Sequence, residues 1–232
     1  MDAYLQHEEK HLQNSDLLTD IVIGMSDGLT VPFALAAGLS GAVSSTGIIV
    51  IAGIAEIAAG GIAMGLGGYL SGKTEQDHYK SELKREYDEV EHKPEMEKKE
   101  VKDFFHNIGL SEELQVKATE EIAKDKKRWV DFMMKFELGL DEPNPKRARN
   151  SALNIGLSYI AGGIIPLSPY IFIANSQQAL KISIMATLLC LFAFGYFKSK
   201  VTGVSPVAGA LKITLIGALA AAAAYAVASV FK

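Results

Sequence analysis

The sequence predicts an all-α membrane protein: five transmembrane helices, with a helical insert between helices 2 and 3 that faces the cytosol. Three observations carry this prediction. Apolar stretches of spanning length, about 20 residues, occur five times. Charge is segregated, since residues 73–142 hold 20 of the 27 Asp and Glu residues and none follows Glu142. Two acids, Asp27 and Glu56, stand alone deep in the first two apolar stretches. The average over all 232 residues, a mean hydropathy of +0.16, hides this division. The chain therefore divides into residues 1–72 (an N-terminal segment and helices 1 and 2), 73–145 (the insert, continuing from helix 2) and 146–232 (helices 3 to 5).

The opening segment Met1–Asp16 is polar, and its basic residue, Lys10, lies close to acids, so it does not have the form of a cleavable signal peptide. The first helix is expected to act as its own insertion signal. The spans are read as Leu17–Leu39, Ile48–Leu70, Ala152–Ala174, Ala179–Phe197 and Val207–Phe231, the fourth being weakest because Lys181 stands at its edge. The second is expected to run on without a break to His92, because Gly72–His92 lacks proline and is rich in Glu, Lys, Leu and Arg. Pro94 suits the first turn of the next helix, which closes near Asn107–Gly109. Ser111 is placed as the N-cap of a further helix or pair of helices reaching Leu138, before Gly139. Asp141–Pro145 reads as a linker back to the membrane.

Lys and Arg are retained on the cytosolic side of a membrane. A shared face for the N-terminus and the insert would carry Lys10, the 17 basic residues from Lys73 to Arg149, Lys198, Lys200 and Lys212, against Lys181 and Lys232 opposite. The N-terminus and insert are therefore placed in the cytosol and the C-terminus across the membrane. No nucleic-acid partner is expected. The single cysteine, Cys190, excludes an intrachain disulfide and reads as a buried apolar side chain.

A carboxylate at the bilayer centre costs roughly 2.5–3.5 kcal/mol on insertion scales, so Asp27 and Glu56 point to a cation pathway. At 1.5 Å of rise per residue, Asp27 lies about 15 Å in from the cytosolic side and Glu56 about 12 Å from the far side, nearly one level. Met64, about 12 Å nearer the cytosol on the same helix, would add a thioether near the mouth. One Asp and one Glu are too few for a six-coordinate ion; water, or a twofold dimer supplying four carboxylates, would complete the shell. Pro32 should loosen helix 1 and free carbonyls near Asp27. Asp20 lies near the cytosolic end and is expected to reach water. Gly24 and Gly28, Gly61 and Gly65, and Gly68 and Gly72 are each four apart, a spacing that lets backbones approach. Pro166 and Pro169 accompany no acid and receive no chemistry.

In the insert, Glu86 and Glu89, and Glu97 and Glu100, are three apart and so share helix faces, while Met133 and Met134 precede Glu137 by four and three residues. By pattern alone these acids read as a solvated face, and Trp129, Phe132 and Phe136 as packing residues. Glu89-x-x-His92 mimics a di-iron motif, but such bundles need it on two helices.

Two runs, DIVIGMSDGLTVPFAL from Asp20 to Leu35 and AEIAAGGIAMG from Ala55 to Gly65, together with the five-span layout and charged insert, resemble the vacuolar iron transporters of plants. The likeness covers nearly the whole chain. It implies a homodimer of five-helix protomers in the vacuolar membrane that exchanges Fe2+ for H+, with no prosthetic group and no enzymatic activity. It also implies Asp27 and Glu56 as the ion and proton site with Met64 assisting, and Glu86, Glu89, Glu97, Glu100, Met133, Met134 and Glu137 as cytosolic metal ligands, overriding the solvated-face reading. Glu86 would stand about 24 Å beyond Leu70 on a straight helix, outside the pore. Carboxylate and thioether donors suit Fe2+ without excluding Mn2+, Co2+ or Zn2+. The rival expectations are a membrane-anchored metal sensor or storage protein and a carboxylate di-iron enzyme.

Overall fold

The computed structural model describes residues 16–230; the opening segment, Lys10, and the end of the fifth predicted span at Phe231, with Lys232, lie outside the described residues. Within them every regular element is a helix, apart from a single bridge between Ser45 and Asn175. The elements are α1 (Asp16–Ala42), α2 (Thr46–His92), α3 (Pro94–Asn107), α4 (Glu112–Ala123), α5 (Lys126–Phe132) with a wider π-turn over Met133–Glu137, α6 (Arg147–Phe172), α7 (Ser176–Val201) and α8 (Pro206–Ser229). Five of them, α1, α2, α6, α7 and α8, are long and apolar enough to cross a membrane. Each begins before its predicted span, and α1, α2 and α7 also run past its end, whereas α6 stops at Phe172, short of Ala174, and α8 at Ser229. Contacts divide the chain into two units, residues 1–69 with 148–232, and residues 70–147.

In the first unit α6 is the central packing element. A Cβ on Gly24 would lie 2.3 Å from the Ile155 carbonyl oxygen, and one on Gly28 2.2 Å from that of Tyr159, so α1 touches α6 backbone to backbone. On the other side Gly65 of α2 meets the Ala152 carbonyl, and Gly61 approaches Gly156 and the Ile160 side chain. Two of the glycine pairs legible in the sequence, Gly24 with Gly28 and Gly61 with Gly65, are thus intramolecular seams, as small residues in membrane helices permit. Gly38 and Gly41 of α1 lie against Ala224 and Tyr225 of α8, and Gly195 of α7 against Ala210. A core of Phe33, Ala36, Ile49, Tyr170, Ala179 and Leu180 fills the bundle. Ile51, Ile62 and Leu66 on α2, and Leu189, Leu211, Leu215 and Leu219 on α7 and α8, are exposed and apolar, the surface a lipid environment covers.

Helix α1 passes through Pro32 without interruption. In α6 the carbonyl that Pro169 leaves without an amide partner, that of Ile165, accepts the Ser168 hydroxyl at 2.9 Å, and the Pro166 carbonyl accepts Ser183 Oγ at 2.7 Å. Neighbouring hydroxyls thus take up carbonyls that a proline turn and helix packing leave available. Asn175 caps α7 by accepting from the amides of Gln177 and Gln178, both at 3.0 Å. Cys190 is half-buried rather than buried.

The second unit has a core of Val90, Val101, Trp129, Val130, Met133 and Met134. Pro94 occupies the first turn of α3, and Gly109, at φ 88°, ends that segment. Ser111 precedes α4 but its side chain makes no capping bond. The stretch from Ser111 to Leu138 is a pair of helices, because Asp125 interrupts it and caps α5 by accepting from the Arg128 amide at 2.8 Å. The π-turn, closed by the Leu138 amide on the Met133 carbonyl at 3.1 Å, is not foreshadowed by the pattern.

Candidate cation sites

Three acids of the membrane unit face neighbouring helices. Asp20 departs from expectation: it is 1% exposed, not open to water. Its turn of α1 packs on α6, where Ser151 Oγ donates to Oδ1 at 2.9 Å and Asn154 Nδ2 to Oδ2 at 3.3 Å. A carboxylate can be buried when donors replace its lost hydration. The signal was present as a serine and an asparagine three apart at the start of an apolar span.

Asp27 and Glu56 are both half-buried, and Glu56 is held by a residue that sequence reasoning missed. Tyr159 of α6 is 2% exposed, and its phenol donates a hydrogen bond to Glu56 Oε1. Asp27 also acts electrostatically on that hydroxyl. Glu56 Oε2 is buried and has no hydrogen-bond partner among the described residues, leaving a lone-pair face free to take a proton or a cation. Met64, half-buried, stands two turns further along α2. A cavity of about 370 Å³ among Phe33, Ala37, Leu180, Ile184 and Tyr225 contains no carboxylate and belongs to the apolar part of the bundle.

In the second unit the acids singled out by spacing converge. Glu86 and Glu97 are each 2% exposed, and each has one carboxylate oxygen buried without a hydrogen-bond partner among the described residues. Burial pushes the Glu97 carboxyl up to about 7, and Glu100, Glu86, Glu89 and Glu137 add to the shift. Glu137 is exposed as a residue, yet partial burial of its carboxyl, then Glu100 and Glu86, push it up to about 7 as well, with Arg85 opposing. Glu86, Glu89, Glu100 and Glu137 all act on the Glu97 carboxyl, a repulsion that a divalent cation would relieve. Among the described residues no three His, Cys, Asp or Glu side chains stand within one coordination sphere. Arg85 lies 3.5 Å from both Glu86 and Glu89, and Lys93 pairs with Glu89 at 3.1 Å. Met133 and Met134, 1% and 2% exposed, belong to the core beside this cluster. Trp129 is likewise a core residue, 5% exposed. His92 turns to Asp88, with Nδ1 2.9 Å from its carbonyl oxygen, so the apparent Glu-x-x-His motif is not assembled.

Five apolar helices around buried carboxylates held by neutral donors define a polytopic membrane protein with an acid-bearing interior. The VIT family model matches residues 18–229, and the chain belongs to that family. Vacuolar iron transporter 1 of Tulipa gesneriana is 52% identical over 223 residues, covering 96% of this chain and 90% of the relative. Vacuolar iron transporter 1 of Arabidopsis thaliana is 49% identical over 224 residues, 97% of this chain and 90% of its own length. Protein CCC1 of Saccharomyces cerevisiae is 37% identical over 217 residues, 90% of this chain and 67% of the yeast protein.

Proposed function

We propose that this chain is a proton-coupled transporter, not an enzyme, that moves Fe2+ from the cytosol into the vacuole in exchange for H+. The observation that carries the reading is Glu56, held by one buried tyrosine inside the membrane unit with its second carboxylate oxygen buried and without a partner among the described residues. The names of the relatives, vacuolar iron transporters from several plants, support the metal and the compartment.

Fe2+ binding displaces protons from Asp27 and Glu56, with the Met64 thioether as a softer donor on the way, and protons from the acidic vacuole displace the ion on the far side. Carboxylate and thioether donors accept Mn2+, Co2+ and Zn2+ as well. In a homodimer the two copies supply four carboxylates. The N-terminus and insert face the cytosol and the C-terminus the lumen, as the distribution of Lys and Arg favours. Glu86, Glu89, Glu97, Glu100 and Glu137, with Met133 and Met134, collect Fe2+ from the cytosol and supply it to the membrane site; their mutual repulsion without metal supports this role.

Iron uptake into proteoliposomes under an imposed pH gradient tests the reading. Gradient-driven Fe2+ flux is expected from the intact protein and none from Glu56→Gln. Absence of flux in both, with metal still held by the insert, would instead favour a sensor or storage protein. Removal of residues 76–140 is expected to lower iron affinity and uptake rate; an unchanged rate in a folded deletion variant would rule out the collecting role.

A further inference from the structure

We propose that Tyr159 is a latch on the ion site: its hydroxyl competes with the cation for the Glu56 carboxylate, and so sets both how tightly the ion is held and how fast it leaves. The inference rests on the reading of Glu56 as a cation ligand. Tyr159 Oη donates to Glu56 Oε1, while Oε2 is buried with no hydrogen-bond partner among the described residues. A cation that takes both oxygens of Glu56 therefore shares Oε1 with the Tyr159 donor or displaces it, and when the cation departs the hydroxyl has its acceptor to itself.

The surroundings hold Tyr159 closely against Glu56. The Tyr159 backbone lies against Gly28, where even a Cβ would come within 2.2 Å of the Tyr159 carbonyl oxygen, so the residue cannot shift as a whole. Its phenol end occupies room left by Gly60: a Cβ there would lie 2.4 Å from Oη and 2.5 Å from Cζ. Tyr159 makes no claim on the ion itself; it is a positioning residue acting through Glu56.

A hydrogen bond to a charged group is worth enough to shift an equilibrium about tenfold. The test is Fe2+ uptake, with the iron kept reduced by ascorbate, into vesicles loaded with an iron-quenched dye. The intact protein, Glu56→Gln, Tyr159→Phe and Gly60→Ala are compared. The latch predicts that Tyr159→Phe lowers KM for Fe2+ about tenfold and also lowers kcat, because the ion leaves more slowly. Gly60→Ala keeps the phenol but pushes its hydroxyl off Glu56, and is expected to change both constants in the same direction. A purely packing role would reduce kcat with KM unchanged or raised, and that result overturns the latch. Should Tyr159→Phe fail to give monodisperse protein, Gly60→Ala decides by the same two readings. Absence of Glu56-dependent flux from the intact protein would overturn the ion-site reading itself; flux that needs Glu56, with KM unmoved in the variants, overturns the latch alone.

Discussion

Ser151 and Asn154 each give Asp20 a hydrogen bond that a carboxylate can only accept, and together they let an acid lie 1% exposed between helices. Ser151→Ala removes the shorter of the two, a loss of about 1.5–3 kcal/mol for a bond to a charged group. The apparent melting temperature in detergent is expected to fall by several degrees while uptake still requires Glu56; an unchanged melt would mean Asp20 gains little from Ser151. In the insert, Glu97 and Glu137 at about 7 bind protons more tightly when folded than in the unfolded chain. Their contribution to metal-free stability is therefore full below the ordinary carboxylate range and is lost as pH rises through about 7. Hydrogen exchange of the full-length protein should show the insert better protected at pH 5 than at pH 8 without metal, a difference that added Fe2+ removes. Protection that grows with pH in metal-free protein would contradict this. The acids Asp27 and Glu56 were legible because an ionisable group in an apolar run is costly enough to notice. Tyr159 was not, since a tyrosine in a membrane helix reads as an ordinary aromatic and its partner is 103 positions away.

Among elements, α6 shows best what periodicity leaves unsaid. Its length and apolar character were readable, yet its role as the surface on which both acid-bearing helices rest depends on contacts that single sequences do not encode. The glycines of α1 and α2 did signal close approach, without naming the neighbour. Gly28→Ala would drive a methyl into the Tyr159 backbone, which cannot move aside as a side-chain tip can, and folded protein should be largely lost. Gly67→Ala is the control: a Cβ there meets nothing within 4 Å, and alanine favours the helix by up to about 1 kcal/mol. Expression and monodispersity by size exclusion check both, and equal yields would mean the α1–α6 seam is slack. The insert was legible through its punctuation, Pro94, Gly109 and Gly139, because these residues act through their own backbones. The π-turn over Met133–Glu137 was not, since one additional residue in a helical turn leaves the apolar spacing nearly intact.

At the scale of the molecule, charge segregation marks residues 73–142 off from the apolar stretches on either side. The proposed homodimer predicts a protein mass in detergent, by light scattering with the bound detergent subtracted, of twice the 25.0 kDa chain; a single-chain mass with full uptake would refute the four-carboxylate site. The glycine seams of α6 have a consequence for anyone redesigning this protein to prefer another metal. With Gly24 and Gly28 of one helix and Gly61 and Gly65 of the other already at backbone contact, the span across which Asp27 and Glu56 work has no slack to be taken up. Ionic radius cannot be matched by nudging helices together. A change of preference would come from exchanging the proposed donors at positions 27, 56 and 64, where chemistry varies while the scaffold's dimensions stay fixed.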